Sequence, residues 1–201
     1  SGAAQNISHN LGVAPTIGIF KKRSDTYGWL TYTEIFDGSL DYLTLNTGDG
    51  KANSSWSTLL DSSSQIQMEG DSDGLNDSGE TYIAYLFSSV EGFSKVGTYE
   101  GIGGTNGPFV DCGFKPSLVI IKNVDSDSRW WVMKTWDTPG YNLVTLGLGA
   151  NVTDAEQNLS SIYMYANGFK IQNNGSYTNE NGSTFLYMAF AESTFKYANA
   201  R

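Results

Sequence analysis

Gly12-Val13-Ala14-Pro15-Thr16-Ile17-Gly18-Ile19-Phe20-Lys21 and Gly113-Phe114-Lys115-Pro116-Ser117-Leu118-Val119-Ile120-Ile121-Lys122 are two versions of one stretch. Gly12, Pro15, Lys21 and the later Trp29 recur as Gly113, Pro116, Lys122 and Trp130, all at an offset of 101 residues (12 to 113). Ile17 and Ile19 keep step with Leu118 and Ile120. The glycine permits a turn, and proline is tolerated at the first residue of a strand, where a ladder donor is dispensable. The Gly-x-x-Pro step therefore reads as the entry to a β-strand.

Working outward, Gly79, Thr81, Tyr82 and Phe87 recur as Gly182, Thr184, Phe185 and Phe190 at an offset of 103 (79 to 182), so the second copy gains residues in between. Each copy closes on an aromatic followed by a lysine, Phe93-Ser94-Lys95 and Phe195-Lys196. A repeat this long fits duplication of a small β module rather than a solenoid. The expected division is residues 1–94 for the first pseudo-repeat and 95–201 for the second.

Further apolar bursts, Tyr82-Ile83-Ala84-Tyr85-Leu86-Phe87 and Phe185-Leu186-Tyr187-Met188-Ala189-Phe190, also read as strands. Dipeptides that admit positive φ lie between the bursts, among them Asp37-Gly38, Asp73-Gly74, Asn167-Gly168, Asn174-Gly175 and Asn181-Gly182, and mark expected hairpins. Only Thr153-Asp154-Ala155-Glu156 has the spacing of a helix start, and predicts a turn or two of helix. The fold class is all-β, an antiparallel β-sandwich built from two pseudo-repeats with about a dozen strands.

With 12 Lys plus Arg against 21 Asp plus Glu, the net charge of −9 repels phosphate backbones and anionic lipid. Nucleic acid is not an expected partner. No apolar run reaches the roughly 18–20 residues of a membrane span, and Ser1-Gly2-Ala3-Ala4-Gln5 lacks the regions of a signal peptide, so neither membrane insertion nor an address is expected. Cys112 is the one cysteine, which leaves stability to the core.

Acyl hydrolysis needs a nucleophile beside a base, yet His9 is the one histidine and no Gly-x-Ser-x-Gly elbow occurs. A single His and a single Cys exclude an ordinary zinc site, and no phosphate-binding Gly-x-x-x-x-Gly-Lys loop is present. A glycosidase needs only two facing carboxylates, for which Glu34, Glu100, Asp111 and Asp137 are available, but on an acidic chain these read as solvated surface. No catalytic residue, cofactor or metal is expected. The segment Asp71-Ser72-Asp73-Gly74-Leu75-Asn76-Asp77 is a partial calcium-loop match whose twelfth position is Tyr82 rather than Glu, and it reads as a polar turn.

The aromatics carry more. Sugar rings stack on Trp and Tyr, of which the chain has 5 and 12. Leu30 and Tyr32, matching Trp131 and Met133, share one strand face that reads as core. Trp29 and Trp130 share the other, either capping an exposed face or packing under a further layer. Trp56 in Asn53-Ser54-Ser55-Trp56-Ser57, and Trp136, Asp137 and Tyr141 in the run Trp136 to Tyr141, are the candidate ligand-binding residues, as loop aromatics with polar neighbours.

Several of these motifs together resemble a C-terminal β-rich domain of tailed-phage structural and tail-fibre-like proteins, many from marine and environmental phages. They are Gly12 to Lys21, Ser78-Gly79-Glu80-Thr81-Tyr82-Ile83-Ala84-Tyr85-Leu86-Phe87, Glu91-Gly92-Phe93-Ser94-Lys95, Gly113-Phe114-Lys115-Pro116 and Met188-Ala189-Phe190-Ala191-Glu192. Cys112 beside Gly113 departs from the hydroxyl-bearing residue that the resemblance leads one to expect. The resemblance implies a place on the virion exterior, other virion subunits as partners and a homo-oligomer, with a trimer favoured. With the aromatics, it leads to a non-catalytic adhesin for host-surface carbohydrate, or alternatively to a purely structural virion protein that decorates the capsid or assembles a fibre.

Overall fold

The computed structural model describes residues 2–70, 74–134 and 142–191. Their regular structure is antiparallel strand almost throughout, as the alternating apolar bursts require. In chain order the elements are β1 (Gln5–Ser8), β2 (Ile17–Lys22), β3 (Trp29–Thr33), β4 (Asp41–Thr44), β5 (Ala52–Asn53), β6 (Gln65–Met68), β7 (Tyr82–Phe87), β8 (Ser94–Glu100), β9 (Phe109–Asp111), β10 (Pro116–Asn123), β11 (Trp131–Lys134), β12 (Leu143–Gly149), β13 (Gln157–Tyr165), β14 (Gly168–Ile171), α1 (Ser176–Asn179) and β15 (Thr184–Ala191).

The chain divides into two compact units, Ser1–Ser88 and Ser89–Arg201. This division falls a few residues before the 94–95 boundary read from the repeat. The turn that leads into β8 already belongs to the second unit, since Val90 N–H donates to Ser94 O at 2.9 Å and Ala191 N–H to Phe93 O at 2.8 Å. In the first unit a five-stranded sheet has the order β5-β4-β3-β2-β7, and β1 and β6 form a separate pair. In the second, eight strands run β8-β15-β10-β11-β12-β13-β14-β9.

The repeated stretch occupies equivalent places. β2 lies between β3 and β7, and β10 between β11 and β15. Ile17 faces Thr33 and Phe87, while Leu118 faces Lys134 and Phe190. The smaller ladders correspond too: Ile66 and Met68 of β6 are buried, as are Phe169 and Ile171 of β14. The recurring lysine has a mechanical role in both units. Lys21 Nζ donates to the carbonyl of Asp25 at 2.8 Å, and Lys122 Nζ to that of Ser126 at 3.3 Å, tying the strand to the turn that follows it. Gly12 and Gly113 have φ of +74° and +77°, which a side chain would strain, so glycine opens both copies.

Even-numbered residues of the first sheet face its core: Phe20, Leu30 and Tyr32 are buried together with Leu40, Trp56, Leu59 and Leu60. In the second unit the ring centroids of Tyr99 on β8 and Phe169 on β14 are 6.2 Å apart. Five strands stand between β8 and β14 in the sheet order. At about 4.8 Å per strand, a flat sheet would hold these rings roughly 29 Å apart. The sheet therefore curls over on itself, enclosing Val119, Ile121, Met133, Ile162, Phe185 and Tyr187 in a single core.

Two local expectations are corrected. Residues 153–156 form no helix: Asp154 accepts from Arg129 at 2.6 Å and from Gln157 at 3.2 Å, and the chain enters β13 directly. The run that follows alternates as a strand, burying Ile162 and Met164, and that tertiary demand overrides the capping spacing. The one helix among the described residues is the four-residue α1. Second, the hairpin expected at Asn167-Gly168 forms, but its turn is centred one residue earlier: Tyr165 pairs with Gly168, which already lies in β14, and leaves Ala166 and Asn167 as the turn. Gly38, Gly74 and Gly182 do take positive φ (+87°, +72° and +77°).

Gly168 is glycine for a different reason: a β-carbon there would meet Val110 O at 2.0 Å, across the β14–β9 ladder. Gly168→Ala is therefore expected to break the β9–β14 pairing, with amide exchange at Val110 accelerating at least tenfold. Ordinary exchange there would show that the ladder tolerates the methyl group.

Candidate ligand-binding surface

Odd-numbered residues of β2, β3 and β7 form the second face of the five-stranded sheet. The register places Lys21 between Trp29 and Ile83, and Ile19 between Thr31 and Tyr85. The Trp29 and Tyr85 rings reach over β2 and stack at 6.3 Å between centroids with 21° between planes. Trp29 is half-buried, whereas Ile83 and Tyr85 are 39% and 45% exposed.

The turn before Trp29 fixes this geometry. A β-carbon on Gly28 would lie 2.8 Å from Thr44 Cγ2, so only glycine lets the chain pass there. Trp29 N–H donates to Asn46 Oδ1 at 2.7 Å, and Trp29 O accepts from Leu45 N–H at 2.8 Å. Asn46 is exposed, and its Oδ1 is engaged by the Trp29 backbone N–H. Two near-parallel rings are suited to the apolar face of a sugar ring. Trp130, the counterpart of Trp29, is 1% exposed, so this platform belongs to the first unit alone.

Trp56, expected on an exposed loop, is instead 4% exposed and lies in the core beside Leu59 and Leu60. Its polar neighbours turn outward. Glu69 Oε1 accepts from the Ser57 N–H at 2.6 Å, the Ser57 hydroxyl at 2.9 Å and the Thr58 N–H at 3.1 Å. These bonds, the Ser57 backbone N–H foremost, hold the Glu69 carboxyl below the usual carboxylate range. With the polar groups satisfied at the surface, the indole fills the interior. Trp136, Asp137 and Tyr141 lie outside the described residues. Tyr85 escaped sequence reading because β7 is apolar at every position, and an unbroken apolar run does not reveal which face is open.

Among the described residues, the acidic candidates Glu34, Glu100 and Asp111 lie at the ends of separate strands. Glu100 ends β8, and Asp111 ends β9, where its carboxylate accepts from Asn167 at 3.0 Å. Glu34 meets Asp61 instead. Burial, and next a hydrogen bond with the Asp61 carboxyl, push Glu34 from 4.5 up to about 7. A shared hydrogen bond holds the two carboxyls closer than the roughly 5 Å separation of a retaining glycosidase.

Asp71 and Asp73 of the acidic loop lie outside the described residues, while Asp77 accepts from Lys22 Nζ at 2.7 Å. Among the described residues no three His, Cys, Asp or Glu side chains gather as a metal site. Cys112 is buried, which pushes its thiol up to about 12.

The raised Glu34 carboxyl sets a pH dependence. Its folded value lies above its unfolded one, so the stability it contributes is full below about 4.5 and is lost as the pH rises through about 7. The melting temperature is expected to fall between pH 5 and 8, and Glu34→Gln to flatten that slope. An unchanged slope in the variant would assign the dependence to other groups.

No curated protein and no solved structure matches the chain. A family model covers residues 1–194 and so spans nearly all of both units. The chain belongs to the family described as Domain of unknown function (DUF7483).

Proposed function

We propose that this chain is a non-catalytic module of a phage particle's exterior that binds host-surface carbohydrate, with the Trp29–Tyr85 pair as its stacking platform. The observation that carries the binding role is that pair: two rings at 6.3 Å and 21°, at the β7 side of the sheet face, where Ile83 and Tyr85 are exposed. The resemblance of the Gly-x-x-Pro, Ser78 to Phe87 and Met188 to Glu192 motifs to phage structural proteins supports the location. The low charged fraction of 16% and the net charge of −9 suit a neutral ligand better than a polyanion.

The same reading includes the finer architecture, two copies of one duplicated module folded as antiparallel sandwiches. The equivalent placing of β2 and β10, with ladders displaced by 101 residues toward β3 and β11 (Thr33 to Lys134) and by 103 toward β7 and β15 (Phe87 to Phe190), supports duplication. A structural role without a ligand is the second reading. It is favoured by the exposed apolar side chains of Ile83 and Tyr85, which a neighbouring subunit would cover.

The purified protein, tested on a glycan array and whole cells at physiological salt, is expected to bind a neutral saccharide. Trp29→Ala and Tyr85→Ala should each weaken that binding about tenfold, the worth of one aromatic stacking contact, at an unchanged melting temperature. Trp56→Ala should act on the fold alone, costing about 3–5 kcal/mol of stability. Absence of any glycan or cell binding by the folded native oligomer would reject the adhesin and leave the structural reading. Release of reducing ends from a bound polysaccharide would reject both in favour of an enzyme.

A further inference from the structure

The two units differ at one sheet edge. In the second, β15 is bonded on one side to β10 and on the other to β8, whereas in the first the equivalent β7 is bonded to β2 and, among the described residues, to no strand on its other side. The phase of the ladder says which groups are left. Arg23 N–H donates to Thr81 O at 2.8 Å. Thr81, Ile83 and Tyr85 therefore turn their backbone groups toward β2, and Tyr82, Ala84 and Leu86 turn theirs to the open side. Their counterparts Phe185, Tyr187 and Ala189 pair with Tyr99, Gly97 and Lys95 of β8.

Side-chain burial follows the same division. Phe185, Tyr187 and Ala189 are 0%, 3% and 0% exposed, with Tyr99 stacked on Phe185 at 5.0 Å. In the first unit Tyr82 and Leu86 are only partly buried against the core, and Ala84 is exposed. Among the described residues, the first unit thus has neither the hydrogen-bonding partner nor the apolar cover that β8 gives the second. From Thr81 to Val90 there is no charged residue and no proline, two of the features that blunt a sheet edge.

We propose that the β7 edge is an acceptor for an antiparallel strand donated by a partner polypeptide, continuing the five-stranded sheet as β8 continues the other. The donated strand carries apolar side chains at the alternate positions that face Tyr82, Ala84 and Leu86. Opposite Ala84 it takes a larger residue than β8 supplies. Gly97 must be glycine because a β-carbon there would lie 2.6 Å from Tyr187 Oη, whereas Ala84 leaves that space open. A second copy of the chain fits less well: β7 paired with itself about Ala84 sets methyl against methyl over the gap, between two chains of charge −9.

The test is amide exchange of the intact chain with a capped synthetic peptide of the sequence Ser89 to Ile102, and with the same peptide carrying Val in place of Gly97. The amides of Ala84 and Leu86 are expected to exchange rapidly in the free chain and to slow at least tenfold with peptide. Those of Ile83 and Tyr85, already held by β2, should change little. The valine peptide should bind several-fold tighter. Ala84→Pro removes an outward donor that an edge strand can spare, and should abolish the protection while the Ile83 and Tyr85 amides stay slow. Unchanged exchange at Ala84 and Leu86 with either peptide at millimolar concentration overturns the proposal. So does protection that rises with protein concentration without peptide, which assigns the edge to a second copy.

Discussion

A strand bonded on both sides has no backbone group left for water, and the rest of this structure is arranged around two such strands. β2 and β10 each hold a hydrogen-bonded partner on either side. Burial then extends to side chains: Ile17 and Phe20, and Val119 and Ile121, are at most 1% exposed. Lys21 and Lys122 stand one residue before the end of each strand, each extending a flexible stem to satisfy carbonyls of the following turn. Burial of Lys122 at 0% exposure is tolerated because its ammonium meets the Ser126 and Ser128 carbonyls at 3.3 and 2.9 Å.

From these strands outward the two units differ. The second unit gains β8 at one end, and β13 joins β12 to β14, so its ladders merge into one sheet that curls over a single core. In the first unit β1 and β6 remain a separate pair. The segment between β5 and β6 instead sends Trp56, Leu59 and Leu60 into the core as a loop, with Gln67 N–H bonded to Leu59 O at 3.0 Å. The apolar anchors persist where the strand pairing does not.

Much of this was legible in the sequence, for identifiable reasons. The β class followed from short apolar bursts between glycine turns, and the core face of β3 from the alternation of Leu30 and Tyr32. Contacts between distant residues were not legible. Trp56 carries polar neighbours whose hydrogen bonds to Glu69 are invisible before folding, so its surroundings resembled a surface loop. Glu34 and Asp61 are 27 positions apart in the chain (34 to 61), and nothing local announces that their carboxyls share a hydrogen bond. The open edge of β7 emerges only from comparing two folded units, because the sequence of β7 resembles that of β15 while their surroundings differ.

The placing of the indoles has an optical consequence. Trp56, Trp130 and Trp131 are 4%, 1% and 0% exposed, whereas Trp29 stands half-open on the sheet face. Among the described residues, a neutral aqueous quencher such as acrylamide reaches Trp29 far more readily than the other three. In a Trp136→Phe variant, the quenchable part of the intrinsic emission reports whether that face is covered, and the shielded part reports whether the interior is intact. Occupancy and unfolding can thus be separated in an unlabelled sample by a single titration.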